Sequence, residues 1–92
     1  MKLLTEAIKK KLPKTYSTEP LPTDEKVVQV KFFHPFSNWT WYAVEYDPKN
    51  RLFFGLVDGF EKEWGYFLLD ELERNKVERD LYFKPKKIKD IR

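Results

Sequence analysis

The residues of this 92-residue chain that could do chemistry are few, and most lie in its middle third. Glu61 and Glu63 stand two apart in FEKEWGYFLL, a stretch that reads as extended. That spacing turns both carboxylates to one face and Phe60, Lys62 and Trp64 to the other. Paired carboxylates suit general acid–base work or Mg²⁺ binding, with Glu45 or Asp58 as further ligands. A solvated strand face, or pairing with Lys31, Arg74 or Arg79, is the preferred reading. The sole histidine, His34, lies three residues before Ser37, and Asp58 would complete a Ser-His-Asp set. Nearness in sequence is not triad geometry, and a histidine before a proline reads as a solvated loop residue. No catalytic residue is assigned. A lone histidine in a chain without cysteine makes no metal site, and glycines at 55, 59 and 65 make no phosphate loop. No cofactor is expected.

Binding chemistry is better represented. Residues 36–46 read FSNWTWYAVEY, with two of the three tryptophans separated by one threonine. Asn38, Trp39, Trp41 and Tyr42, together with Glu61, Glu63 and Tyr66, form the candidate binding set. Each tryptophan removes roughly 200 Å² from water when buried, so core is preferred over an exposed platform for at least one of them.

The elements that must position these residues follow from periodicity. TEAIKKKL (5–12) reads as a short helix with Thr5 as cap, Glu6 at the positive end and lysines at the negative end. Leu4, Ile8 and Leu12 give it one apolar stripe, and Pro13 stops it. Residues 13–25 hold three prolines and read as a linker anchored by Tyr16 and Leu21. VVQVKFF (27–33) is a strand with Val28, Val30 and Phe32 on one face. HPFSN (34–38) is a turn, NWTWYAVEY (38–46) a strand, DPKN (47–50) a type I turn and RLFFGLV (51–57) the returning strand.

Closing that turn at Asp47 and Asn50 sets Tyr42 opposite Gly55, Val44 opposite Phe53, Trp41 opposite Leu56 and Ala43 opposite Phe54. Trp39, Trp41, Ala43, Phe54 and Leu56 then share one face, and Tyr42, Val44, Tyr46, Phe53 and Val57 the other. FEKEWGYFLL forms a fourth strand in which Gly65 marks a bulge or a close backbone approach. DELERNK (70–76) is a short helix with Asp70 capping or in its first turn, and VERDLYF (77–83) an edge strand. KPKKIKDIR is a polar tail. The expected fold is α+β: an antiparallel sheet of four to five strands, an N-terminal helix and a short helix before the last strand. Residues 1–92 read as one domain, with a Pro-rich linker at 13–25 and a basic tail at 84–92.

Composition agrees with a folded, polar chain: 41% hydrophobic residues, 17% aromatic and 36% charged, with a mean hydropathy of −0.68. No apolar run approaches a membrane span and the start has no signal-peptide core, so a cytoplasmic setting without membrane contact is expected. Asn38-Trp39-Thr40 matches a glycosylation sequon and reads as coincidence in that setting. The net charge of +3 is unevenly spread. Residues 1–14 carry five lysines against Glu6, and residues 84–92 five basic residues against Asp90, each a net +4. The span between holds eight basic and thirteen acidic residues, a net −5. The ends are basic and the body is acidic.

The blocks LLTEAIKKKLP, SNWTWYAVEYD, FFGLVDGFEKEWGYF and ERDLYFKP resemble the bacterial family of unknown function numbered 2958, from Leu3 to Pro85. The resemblance implies a small protein associated with plasmids and conjugative elements, and transfers no catalytic residue. Where that pattern has a serine before its second helix this chain has Leu68, which leaves Asp70 as the cap. Threonine is common in the pattern at the position of His34.

Two functions follow. A non-enzymatic accessory protein that docks another protein fits an aromatic-rich sheet with two faces to cover and an acidic body. Single-stranded nucleic acid binding is the alternative: sheet aromatics would stack bases while Lys9, Lys10, Lys11, Lys84, Lys86, Lys87 and Lys89 grip phosphates.

Overall fold

The computed structural model describes residues 2–91. Helix α1 (Glu6–Lys11) is capped at Thr5, whose hydroxyl accepts from the Ile8 amide at 3.2 Å. A 3₁₀ turn at Thr23–Glu25 leads into β1 (Val27–Val28), followed by β2 (Val30–Phe33), β3 (Thr40–Asp47), β4 (Leu52–Asp58) and β5 (Lys62–Leu68). Helix α2 (Leu69–Arg74), β6 (Glu78–Arg79), β7 (Lys86–Lys87) and a 3₁₀ turn at Ile88–Asp90 complete the chain. The main sheet is antiparallel in the order β5-β4-β3-β2-β6, and β1 and β7 pair as a separate ribbon. The chain is thus α+β with a five-stranded sheet, an early helix and a second helix before the last strands. Among the described residues no helix is long and apolar enough to cross a membrane.

The sheet is covered on both faces. One carries Val30, Phe32, Ala43, Tyr46, Phe53 and Phe67, packed against Leu3, Leu4, Leu12 and Ile8 around α1 and against Leu69, Leu72 and Val77 around α2. Phe53 is its hub, with ring centroids 5.3 Å from Phe32, 4.7 Å from Tyr46 and 5.3 Å from Phe67. The opposite face carries Val44 and Leu56, closed by Val28 and Ile88 with Tyr42, Trp64, Phe83 and Ile91 around them. Val28 therefore leaves the face of Val30 and Phe32: the expected single strand over 27–33 breaks at Gln29, and its first part pairs with β7 instead.

The hairpin register differs from the expected one in two places. Arg51 adopts a left-handed conformation (φ 54°) and extends the loop by one residue, so Asp47 pairs with Leu52 and Tyr46 with Phe53. A bulge between Ala43 and Glu45 then shifts the pairing back by one, giving Ala43 opposite Gly55, Tyr42 opposite Leu56 and Trp41 opposite Val57. A one-residue shift exchanges faces. Trp41 and Ala43 accordingly share a face with Tyr46, Phe53 and Val57, while Phe54 and Leu56 join Tyr42 and Val44. Gly55 is the residue that permits this: a Cβ there would lie 1.9 Å from the Tyr42 carbonyl oxygen. Gly65, expected to mark the close approach, is paired regularly with Gly55 and has open space where its Cβ would be.

Three other expectations change. VERDLYF contributes only two strand residues, because Tyr82 and Leu81 turn out to solvent after β6. The segment 84–91 does not trail as a tail, Arg92 lying outside the described residues: β7 pairs with β1, and Ile88 is completely buried. α2 begins at Leu69 with no side-chain cap; Asp70 lies in its first turn and binds the Arg51 guanidinium at 2.8 Å.

Candidate functional site

The strand ends at Phe33, Thr40, Asp58 and Lys62 are cross-paired, so the turns at 34–39 and 59–61 stand side by side at one end of the sheet. Most of the expected binding residues meet there. The Trp39 indole lies flat over Gly59, where a Cβ would come within 2.5 Å of the ring. It sits 6.0 Å from Trp41 and meets Phe60 edge to face at 5.6 Å. Trp39, Val57, Phe60, Glu61 and Glu63 line one depression of about 480 Å³. Phe60 is 95% exposed, and Phe36 on the neighbouring turn is 92% exposed. Asn38 is exposed in the turn that leads into Trp39.

The doublet divides between the two readings made of it. Trp41 is half-buried and packs on the helix-covered core. Trp39 is half-buried outside that core and forms, with Phe60, an aromatic floor beside two carboxylates. Glu61 and Phe60 lie in a bend rather than in β5, so Phe60 lines the same depression as both glutamates instead of the opposite face. Two of the three suggested counter-ions are engaged elsewhere: Lys31 pairs with Asp80 at 3.8 Å, and Arg79 donates to the carbonyls of Lys2 and Leu3. No cluster of three or more acidic or histidine residues among the described residues is placed to hold a metal ion.

His34 and Ser37 serve the turn. The His34 Nδ1 accepts from the Phe36 amide at 3.2 Å, which places a neutral ring's proton on Nε2. The Ser37 hydroxyl oxygen accepts from the Trp39 amide at 3.2 Å. Both side chains shape the loop that presents Trp39.

Tyr42 and Tyr66 lie on the other face of the sheet. Tyr42 is half-buried beneath the Lys31 ammonium, 5.9 Å from its ring centroid, and burial followed by the Asp58 charge raises its pKa. Tyr66 borders a groove of about 380 Å³ between the 16–26 segment and strands β4 and β5. One wall is aromatic: Phe54 stacks on Trp64 at 5.6 Å and touches Tyr66 at 5.1 Å.

Sequence reasoning missed this groove because its floor is a buried charge. Glu45 is 2% exposed; its carboxylate accepts from the amides of Tyr16 at 2.8 Å and Thr18 at 2.9 Å, and from the Thr18 hydroxyl. The buried Lys26 ammonium donates to the Thr18 carbonyl. Thr18 thus joins the two charges, and the bulge frees the Tyr46 amide to bind the Pro13 carbonyl at 3.0 Å. The 13–25 segment is anchored by these polar contacts, whereas the expected anchors Tyr16 and Leu21 are exposed. An acid between Val44 and Tyr46 inside an apolar strand was the available signal.

The basic residues are partly neutralised. Lys9 pairs with Glu6, and Lys87 and Lys89 both pair with Glu25. Lys86 lies 5.4 Å from the Phe83 ring centroid, while Lys10 and Lys84 are exposed. The two basic ends do approach each other: Lys11 and Pro85 line one groove with Val30 and Arg79. That groove adjoins the start of β2, whereas Trp39 lies beyond its end.

No curated protein and no solved structure matches the chain. A family described as "Protein of unknown function (DUF2958)" matches it over residues 3–89, nearly its whole length. The chain therefore belongs to the DUF2958 family.

Proposed function

We propose that the chain is a non-enzymatic accessory protein that docks a partner protein at the Trp39–Phe60 end of the sheet. The supporting observation is the depression lined by Trp39, Val57, Phe60, Glu61 and Glu63, with Phe60 almost wholly exposed. An aromatic side chain held in water at the tip of a turn contributes nothing to the core, and an apolar surface with a charged rim suits a partner. Glu61 and Glu63 make no ion pair among the described residues, so the complementary occupant is an apolar segment carrying lysine or arginine. A cytoplasmic, plasmid-associated setting belongs to the same reading and rests on polar composition and on the resemblance.

A blocked peptide alternating leucine with lysine tests this against its leucine–glutamate counterpart. The basic peptide alone should perturb tryptophan fluorescence, and its binding should vanish in Phe60→Ser and weaken in Glu61→Lys/Glu63→Lys. Equal binding of both peptides, or indifference to Phe60→Ser, would remove this end as the docking surface.

Convergence of Lys11 with the Pro85 segment favours one second reading, single-stranded nucleic acid held at that groove. Because Trp39 and Trp41 lie toward the other end of β2, stacking there would fall to Phe83, which lines the groove, and to the exposed Tyr82 next to it in the chain. Binding of oligo-dT should then be salt-labile, leave tryptophan emission unchanged and be lost in Lys11→Glu/Lys84→Glu. Quenching of Trp39 or Trp41 that persists at high salt would contradict it.

A further inference from the structure

The groove over strands β4 and β5 has a chemistry that docking at the opposite face does not use. Its aromatic wall is Phe54, Trp64 and Tyr66, and Tyr16 stands at its mouth. Glu45 and Lys26 offset one another through Thr18, as described, so they leave the groove no net charge. Glu19, also in the lining, makes no ion pair among the described residues. The balance is one uncompensated carboxylate beside four aromatic rings.

Tyr16 adds an independent observation. It holds a left-handed backbone (φ 72°), which is costly for a bulky residue, and its ring is 65% exposed. Such strain persists where the surroundings enforce it, and here the Glu45 carboxylate does so by binding the amides of Tyr16 and Thr18. The outcome is a Tyr16 side chain that lines the groove together with Tyr66. The neighbouring Tyr16 hydroxyl, then burial, then the charges of Glu45 and Glu19, push the Tyr66 hydroxyl up to about 12.

We infer that this groove binds an organic cation whose charge is spread over alkyl groups, an alkylated ammonium head held by the rings of Tyr16, Phe54, Trp64 and Tyr66 with Glu19 as counter-charge. Ring faces attract such ions through their quadrupoles, and a weakly hydrated cation gives up its water more readily than a primary ammonium. A primary ammonium is already present in Lys26, and it is held by a carbonyl at the floor.

The probes are tetramethylammonium chloride and blocked trimethyllysine, with neutral 3,3-dimethylbutanol and sodium chloride as controls. The readout is the indole N–H resonance of Trp64 in the intact chain, assigned by Trp64→Phe. Both cations should shift it with millimolar saturation and the controls should not. Glu19→Gln, an exposed change that leaves the fold alone, should weaken binding about fivefold. Trimethyllysine binding more tightly than tetramethylammonium would mark the source as a modified side chain, and equal binding a free head group; either supports the site. Equal shifts from dimethylbutanol would show a merely apolar groove and overturn the inference. So would no shift at all, or shifts confined to Trp39 and Trp41, which report on the opposite face.

Discussion

Two glycines paired across β4 and β5 should respond to the same substitution with opposite signs. At Gly55 an alanine Cβ would lie 1.9 Å from the Tyr42 carbonyl oxygen, 2.9 Å from its carbon and 3.0 Å from the Ala43 Cα. Ordinary carbon–oxygen contact begins at roughly 3.3 Å, so β3 and β4 must separate locally by more than an ångström. The clashing atoms are backbone and cannot swing aside. Separation on that scale carries ladder hydrogen bonds beyond their working range and leaves buried groups unpaired, at about 1–3 kcal/mol each. With two such groups the cost is about 2–6 kcal/mol, and at about 4–8 °C per kcal/mol the melting temperature of a chain this size falls by roughly 10–50 °C.

At Gly65 the same methyl meets nothing within 4 Å, and no described glycine has a positive φ. Alanine there narrows the unfolded ensemble without strain and should stabilise by about 0.4–1 kcal/mol. Urea unfolding followed by tryptophan emission measures both, and a shared m-value would show that only stability has changed. Equal effects, or a Gly55→Ala midpoint close to that of the parent, would mean that the strands do not approach at the Val44 bulge.

Glu45→Gln keeps the shape of the side chain but removes the charge that three donors share; it should cost about 2–3 kcal/mol and increase hydrogen exchange at Tyr16 and Thr18. Unaltered exchange there would show that the carboxylate does not hold the segment. Ile88→Ala should cost about 2–4 kcal/mol because that side chain is completely buried, and deletion of residues 86–92 should destabilise the fold rather than merely remove charge. A truncated chain with the parent's melting temperature would return this segment to the status of a tail. Tyr66 has its pKa raised in the folded state, so its contribution is complete below the ordinary tyrosine value and is lost as pH rises from near 10 through about 12. Tyr42 and Tyr46 are also raised by burial, so tyrosinate absorbance should show several late-titrating groups, of which one moves earlier in Tyr16→Phe; an unchanged titration would separate the Tyr16 and Tyr66 hydroxyls.

Much of this architecture was legible along the chain. α1 declared itself through Thr5, the charge order Glu6 to Lys11 and the stripe of Leu4, Ile8 and Leu12. Strands β3 to β5 did so through β-branched and aromatic runs parted by turn residues. These are local signals, and local energetics settle them. Pairing was less legible. Arg51 in a left-handed conformation carries no glycine or asparagine to announce it, and the Val44 bulge is stabilised by partners outside the hairpin: Pro13, Tyr16 and Thr18.

For the site, the sequence by itself determined which side chains have binding chemistry, because residue type and turn placement decide that Trp39, Phe60, Glu61 and Glu63 stand near strand ends. Only the tertiary structure decided how they are grouped. The bulge, with the loop extended at Arg51, exchanges faces between β3 and β4, setting Val57 on the side of Trp39 and Trp41 and Phe54 and Leu56 on that of Tyr42. It also turned a linker and a tail into the cover of the second face, since Ile88 and Thr18 find burial only against residues distant in sequence. A side chain's chemistry belongs to the residue, but its neighbours are set by register, and register here rests on a carbonyl contact at Gly55 and a buried carboxylate at Glu45.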